Sequence, residues 1–325
     1  MDAIVTAGGI PLPEEPLYPE TRGHNKALLD ISGKPMVQWV LDALSNATTI
    51  DNVILVGLTD KSGLTCRKPL YFVSNQGRML DNFRAGVHRS QELGGGHKHV
   101  LFVASDIPAI NSQMVDWVVK TAMKTDDDIY YNVIERKVME KRFPQSKRTY
   151  TALKGMEVCG GDMNVARAKM VMAKDENSMW EKISNSRKSP LKQAALIGFD
   201  TLFLLIFGQL TLEKAAEKIT KKLGVTGQVI LCPYAEVGMD IDKPHQLDLI
   251  RKDFKRRLHK PSPAAKKPAK PVKKGAAKKT AKPVKKTAVP AKKNAKPVKK
   301  ASAPAKKNTK PAGKPVKKPV KTAKK

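Results

Sequence analysis

A short apolar run, Ile4-Val5-Thr6-Ala7, closes on two glycines, Gly8-Gly9, and a polar loop then leads to Asn25-Lys26-Ala27-Leu28-Leu29. Few folds accept that order. It predicts a buried parallel strand whose carboxyl end opens into a loop that returns a lysine to the same place. Glycines let main-chain N–H groups come close to phosphate oxygens, and a lysine supplies the countercharge. The spacing is not that of a P-loop, because no Gly-Lys-Ser/Thr follows, and it is not Gly-x-Gly-x-x-Gly. Taken alone, the two glycines are also ordinary punctuation at a strand end.

Charge divides the chain sharply. Of 325 residues, 61 are Lys or Arg and 30 are Asp or Glu, a formal net charge of +31. Residues 260–325 hold 25 lysines and no arginine, acid or aromatic residue. The remainder, 1–259, carries 36 basic and 30 acidic residues, a net charge of +6, and is long enough for one sizeable core. The motif Lys-Pro-Val-Lys-Lys recurs at 270–274, 282–286, 296–300 and 314–318. Proline breaks helices, like charges repel and nothing there can seed a core, so a disordered tail is expected. Such a tail binds polyanions by releasing condensed counterions. Without aromatic residues or arginines it has no means of reading bases, so binding to nucleic acid would be non-sequence-specific. It resembles the lysine-, alanine- and proline-rich tails of histone-H1-like proteins.

Cys66, Cys159 and Cys232 form no Cys-x-x-Cys pair, and no cysteine–histidine cluster suggests zinc. They read as packing residues of a reducing compartment. The chain opens Met-Asp without a basic-then-apolar signal pattern. Its longest apolar stretch, Ala194–Leu210, contains Asp200 and Gln209 and is shorter than the roughly 20 residues of a membrane span. These observations imply a cytoplasmic protein without a transmembrane segment, possible nucleoid association coming only through the tail.

The body alternates strand-like and helix-like segments, which predicts an α/β fold: a three-layer, Rossmann-like, mixed but mostly parallel sheet with helices on both faces. Strands are expected at Ala3–Thr6, Val53–Val56, Leu70–Val73, Val100–Ala104, Ile129–Ile134, Tyr150–Leu153 and Gln228–Leu231. Helices are expected from Lys34 to Leu44, at Arg78–Glu92, Ser112–Met123, Asn164–Met172, Ser178–Ile183, Leu191–Ile197, Thr201–Gln209, Leu212–Leu223 and His245–Leu258. In such folds ligands collect at the carboxyl ends of the strands. The stretch 202–207 is apolar all round, which reads as a buried helix or a dimer contact, with a cover over a greasy acceptor or a membrane-surface contact as the sharper alternative. His97 and His99 flank Lys98 at a strand start and read as exposed.

Three groups converge on those strand ends: Ala7-Gly8-Gly9 with Arg22, Gly23 and Lys26; Ser105-Asp106-Ile107-Pro108; and Gly238-Met239-Asp240-Ile241-Asp242-Lys243-Pro244. In this order, over roughly residues 2–257, they resemble the MobA-like and sugar-phosphate nucleotidyltransferases. The resemblance implies transfer of a nucleoside monophosphate group from a nucleoside triphosphate to a phosphorylated acceptor, with Mg²⁺ and release of pyrophosphate. It implies that Lys26 and Arg22 hold phosphates, Arg22 within a motif one residue shorter than the family's Arg-x-Gly-x-x-Lys. Ala7, Gly8 and Gly9 would cradle the nucleotide, Asn75 and Gln76 would face the base, and Asn164 would approach the acceptor. Asp106 and Asp240 would hold the metal, Asp242 serving as a further ligand or a neighbour. The acceptor stays open between a sugar phosphate, a pterin phosphate and a related polar compound. Cys159-Gly160-Gly161-Asp162-Met163-Asn164 resembles the family's acceptor-side loop, and a helix start with Asp162 as its cap explains it nearly as well. A rival reading makes the protein a nucleic-acid binder acting through residues 260–325, on a body that is a degenerate nucleotide-binding module. The base and the oligomeric state are not encoded in any motif.

Overall fold

The computed structural model describes residues 1–173 and 209–259. The helices expected at Ser178–Ile183 and Leu191–Ile197, and Thr201–Gln209 up to residue 208, lie outside them, as does the tail 260–325.

Strand β1 (Ala3–Thr6) is buried because it has a parallel neighbour on each side, β4 (Val53–Val56) and β6 (His99–Ala104). Those neighbours close its two edges and helices close its two faces, so Ala3, Ile4 and Val5 are all apolar. β5 (Leu70–Val73) extends the parallel half beyond β4. On the other side, β10 (Met163–Arg167) runs antiparallel to β6 and to β7 (Ile129–Glu135). β9 (Met156–Gly160) pairs antiparallel with the second half of β7 and with β8 (Thr151–Leu153), while β11 (Gly227–Leu231) runs parallel to β7. The spatial order is β5-β4-β1-β6-β10-β7-β9-β8, with β11 beside β7. A separate hairpin joins β2 (Asp30–Ile31) and β3 (Lys34–Pro35).

Helices cover both faces. On one lie α2 (Met36–Ser45), α4 (Ser112–Ala122) and α8 (Pro244–His259). α2 buries Met36, Val37, Val40, Leu41 and Leu44, one stripe of a 3.6-residue repeat, against alternate residues of β1 and β6. On the other lie α3 (Met79–Glu92) and α6 (Ala168–Met172), packed on Ile4, Ile54, Phe102 and Ala166. Short helices α1 (Tyr18–Thr21) and α5 (Arg136–Arg142) occupy loops, and α7 (Leu212–Leu223) packs on β11. The three-layer mixed sheet is thus as the sequence implied. Among the described residues no helix is long and apolar enough to cross a membrane.

Two expectations are corrected. The stretch Asn164–Met172 is not one helix: Met163–Arg167 is a strand and the helix begins only at Ala168. Met163 and Val165 alternate into the core with zero exposure, and pairing with both β6 and β7 overrides the helix-like spacing of Met163, Met170 and Met172. His99 is not exposed; it is buried, with Nε2 2.7 Å from the Asp127 carbonyl oxygen. His97 lies near Asp2 and Asp51, at the amino ends of the strands and so opposite the carboxyl ends described next.

Candidate active site

The glycine turn is fixed from three directions. The Asn25 amide donates to the Ala7 carbonyl (2.6 Å) while its Oδ1 accepts from the Ala27 N–H (2.8 Å). The Lys26 N–H donates to the Gly9 carbonyl (2.9 Å), so the long loop after Gly9 is stitched back to where it began. The Pro- and Glu-rich part of that loop points outward: Pro13, Glu14 and Glu15 are exposed, whereas Leu17 is buried and anchors it. The third brace is Asn75, whose Nδ2 donates to the Gly8 carbonyl (3.3 Å) and whose Oδ1 accepts from the Gly77 N–H and from Asn82. A Cβ on Gly8 would meet the Asn75 side chain at 2.9 Å. Gly57, just after β4, has φ +107, and a Cβ there would meet the Gly8 backbone at 2.5 Å. Backbone of two strand ends therefore touches where no side chain fits. Over Gly9, by contrast, an added Cβ meets nothing within 4 Å, so the turn faces open space.

Lys26 is carried by a single-turn 3₁₀ helix, Lys26–Leu28, with Asn25 as its cap. Its ammonium donates to Asp106 Oδ2 (2.7 Å) and to Asp242 Oδ1 (2.6 Å). Burial pulls the ammonium's pKa down, but Asp106 and Asp242 more than offset that, and the net shift is upward. Asp106 follows β6. The segment before α8 is pinned to it, since the Ile241 N–H donates to the Asp106 carbonyl (3.1 Å). Gln246, one turn into α8, accepts with Oε1 from the N–H groups of Asp242 and Lys243 (2.9 Å each). Arg142 grips Asp253 with both terminal nitrogens (3.0 and 2.7 Å) and Glu236 with Nε (2.8 Å), which locks the turn Ala235–Gly238 that leads to Asp240.

Asp162 enters from the sheet itself. β9 and β10 are one line of chain along β7, broken at Gly161-Asp162. The Gly161 N–H still donates to the Asn132 carbonyl (2.8 Å), but Asp162 leaves the ladder: its N–H donates to Val237 and its carbonyl accepts from Ala104 (2.9 Å each). A strand break, rather than a helix cap, thus delivers the Asp162 carboxyl beside Asp106. Burial, and then the Asp106 charge, push its pKa up to about 7, against the opposing pull of Arg148. Arg148 pairs with Asp240 and lies 3.9 Å from Asp162. It also faces Cys159, whose thiol is pushed up mainly by burial.

The sequence-predicted residues therefore separate into sets. Ala7, Gly8, Gly9, Lys26, Asp106 and Asp242 form one contiguous surface. Asp240 belongs to the same segment but turns to Arg148, so Asp106 and Asp240 are held by different cations. Arg22 is exposed, in a left-handed conformation (φ 50) at the end of α1, while Lys26 takes the carboxylates. Gln76 donates to the Ser74 carbonyl (2.8 Å), within its own loop. Asn164 spends both ends of its amide on the backbone, Oδ1 accepting from Asn132 and Nδ2 donating to Gly161 (2.8 Å each), and so props the strand break open. Arg148, Gln246 and Gly57 belong to no motif, and only their packing marks them. Asp162 stood beside two glycines, which was signal enough for a break but not for its direction.

Four carboxylates (Asp106, Asp162, Asp240, Asp242) and two cations (Lys26, Arg148) leave this cluster a formal charge of −2 when all are ionised. Asp106 Oδ1 and Asp162 Oδ2 are buried without a hydrogen-bond partner. Buried carboxylate oxygens left so are costly, and hard oxygen donors in an anionic cleft suit a divalent cation such as Mg²⁺, which keeps several of its waters.

The MobA-like NTP transferase domain family matches residues 20–179. The solved structure of a hypothetical transferase from Thermus thermophilus superposes with a TM-score of 0.64 at 30% identity, covering 76% of this chain and 98% of that one. A mitochondrial 3-deoxy-manno-octulosonate cytidylyltransferase of Arabidopsis thaliana is 26% identical over 121 residues, 36% of this chain and 41% of its own length. A probable molybdenum cofactor guanylyltransferase of Thermococcus sibiricus is 29% identical over 99 residues, 30% of this chain and 48% of its own. The matches thus span less than half the length of these two relatives.

Proposed function

This chain belongs to the MobA-like NTP transferase family, and from that premise we propose that it moves a nucleoside monophosphate group from a nucleoside triphosphate to a phosphorylated acceptor. The observation that carries this reading is Lys26, returned by its loop to the glycine turn and set between Asp106 and Asp242. An acceptor phosphate oxygen attacks the α-phosphorus, a new P–O bond forms, the α–β bridging bond breaks, and pyrophosphate leaves with the electron pair. Negative charge then grows on the equatorial and leaving oxygens, so the protein's work is positioning and electrostatic stabilisation.

Ala7, Gly8 and Gly9 receive the phosphates. Lys26 holds the β- and γ-phosphates, exchanging part of its carboxylate contact for them, and Arg22 reaches in from the loop. Asn75 braces Gly8, and with Gln76 lies where the base would rest. Asp106, Asp240 and Asp242 would hold Mg²⁺, with Asp162 beside them. Bound there, the ion would polarise the phosphates and neutralise the leaving group. Arg148 keeps Asp240 and Asp162 from repelling one another before the ion arrives. Residues 260–325 we assign to non-sequence-specific binding of nucleic acid, on their lysine content alone.

The test is pyrophosphate release from each of the four ribonucleoside triphosphates with Mg²⁺, over a panel of phosphorylated acceptors. Asp106→Ala should lower turnover by about 10²–10³-fold, the usual cost of losing one group that stabilises such a transition state. Unchanged turnover in that variant refutes the site. Failure of every triphosphate to raise the thermal midpoint of the protein refutes the activity.

A further inference from the structure

Behind Asp162 the cleft continues into a groove of about 460 Å³ on the α3 side of the sheet. Its floor is Phe102 of β6, Ala166 of β10 and Tyr131 of β7, and its walls are Phe83 of α3 and Val171 of α6. Phe83 and Phe102 close one corner, their ring centroids 4.5 Å apart, and Tyr131 remains 43% exposed at the mouth. The groove ends on Asp162, at the strand ends where the phosphates would lie.

Two of the polar side chains along its walls, Asn164 and Arg84, are committed to backbone, while Thr6 and Asp162 stand at the strand ends and Tyr131 at the mouth. Both ends of the Asn164 amide are taken by Asn132 and Gly161. Arg84 donates to the carbonyls of Val171 (3.3 Å) and Ala173 (3.0 Å), fastening α6 to α3. A polyol lying here would bury hydroxyls without partners, whereas a hydrocarbon would lose nothing but water. A cavity of about 150 Å³ takes one benzene, so this one takes an apolar body of roughly ten to fifteen carbons.

Resting on the nucleotidyl-transfer reading above, we propose that the acceptor is a phosphate monoester of an apolar alcohol, with its hydrocarbon in this groove and its phosphate at the Asp162 end. This sets the chain apart in acceptor chemistry from a relative named for a sugar acid. The recognition is by shape and desolvation in the groove and, at its anionic end, by Arg148 together with Mg²⁺, so with the ion present a free alcohol of the same body would bind more weakly than its phosphate.

Calorimetric titration of the full chain, with Mg²⁺ and a non-hydrolysable nucleoside triphosphate present, tests this with geranyl phosphate, geraniol and ribose 5-phosphate as probes. Geranyl phosphate should bind at least tenfold more tightly than either of the others. Ala166→Phe fills the groove from its floor and Val171→Phe from its wall; each should weaken geranyl phosphate at least tenfold while leaving the thermal shift caused by the nucleotide in place. That retained shift shows that a variant has folded, and two variants guard against one that does not. The inference is overturned if geranyl phosphate does not bind, if ribose 5-phosphate binds as tightly, or if both folded variants keep the affinity for geranyl phosphate. It fails separately from the reading of the nucleotide site, which stands or falls on the nucleotide's own thermal shift.

Discussion

Replacing Lys26 by Met removes one cation from between two carboxylates and leaves nearly the same volume of side chain. The bridge to Asp242 is worth little, since that side chain is 59% exposed and solvent screens it; about 0–1 kcal/mol is usual for such pairs. The bridge to Asp106 is different. Asp106 is 21% exposed, its Oδ1 already lacks a hydrogen bond, and Asp162 is close by. Breaking a buried pair from one side costs about 3–5 kcal/mol, and partial exposure here lowers that to about 2–3. The formal charge of the cluster falls from −2 to −3. The expected loss is therefore about 2–4 kcal/mol at pH 7 in metal-free buffer, a midpoint lower by roughly 5–15 °C for a folded body of this size. Two controls separate this from a packing defect. Asp162, already pushed up to about 7 and deprived of the lowering influence of Lys26, takes up its proton as the pH falls and relieves the crowding, so the deficit should shrink between pH 7 and pH 5. Millimolar Mg²⁺ should raise the midpoint of the variant more than that of the parent, because the ion restores the missing positive charge. Thermal unfolding followed by circular dichroism reads all three. A variant as stable as the parent at pH 7 without metal, or one whose deficit ignores both pH and Mg²⁺, refutes the view that Lys26 balances these carboxylates.

Asp162→Asn should change the pH dependence of stability. A carboxyl with a pKa near 4 in the unfolded chain and about 7 in the folded one binds more protons when folded, so stability falls as pH rises through that window. With the side chain 33% exposed the effect is discounted to about 1–2 kcal/mol, and the variant should be the more stable protein at pH 7.5 but not at pH 4.5 in urea titrations. Gly57→Ala forces a Cβ to 2.5 Å from the Gly8 backbone at φ +107; it should cost about 2–4 kcal/mol and weaken triphosphate binding, whereas Gly9→Ala, with open space around it, should cost under about 1 kcal/mol in unfolding experiments. Deleting residues 260–325 should abolish gel retardation of DNA and its steep salt dependence while sparing pyrophosphate release; retained retardation would place the binding in the body.

Much of the fold was legible because parallel strands buried on both faces announce themselves. Val53–Val56 sits where its apolar run puts it, as does the half-buried edge strand Leu70–Val73, and α3 ends where the glycines after Leu93 begin. β10 was not legible: Met163 stands seven residues before Met170, a helical spacing, and only pairing with β6, about 60 residues upstream, and with β7 decides for a strand. β9 and α5 were missed for a related reason, since neither has a period long enough to stand out from the charged sequence around it.

The residues of the glycine turn, Lys26 and the aspartates at 106, 240 and 242 could be picked from sequence, because each sits in a local pattern that glycine, proline or a strand end makes readable. What those side chains touch was decided only by the tertiary structure. Lys26 chose Asp106 and Asp242, Asp240 turned to Arg148, Asp162 was swung in by a broken strand, and Asn75 and Asn164 were spent bracing backbone. Local sequence fixes backbone preference over a few residues, but the partner of a charge depends on which distant segments the sheet brings within hydrogen-bond reach.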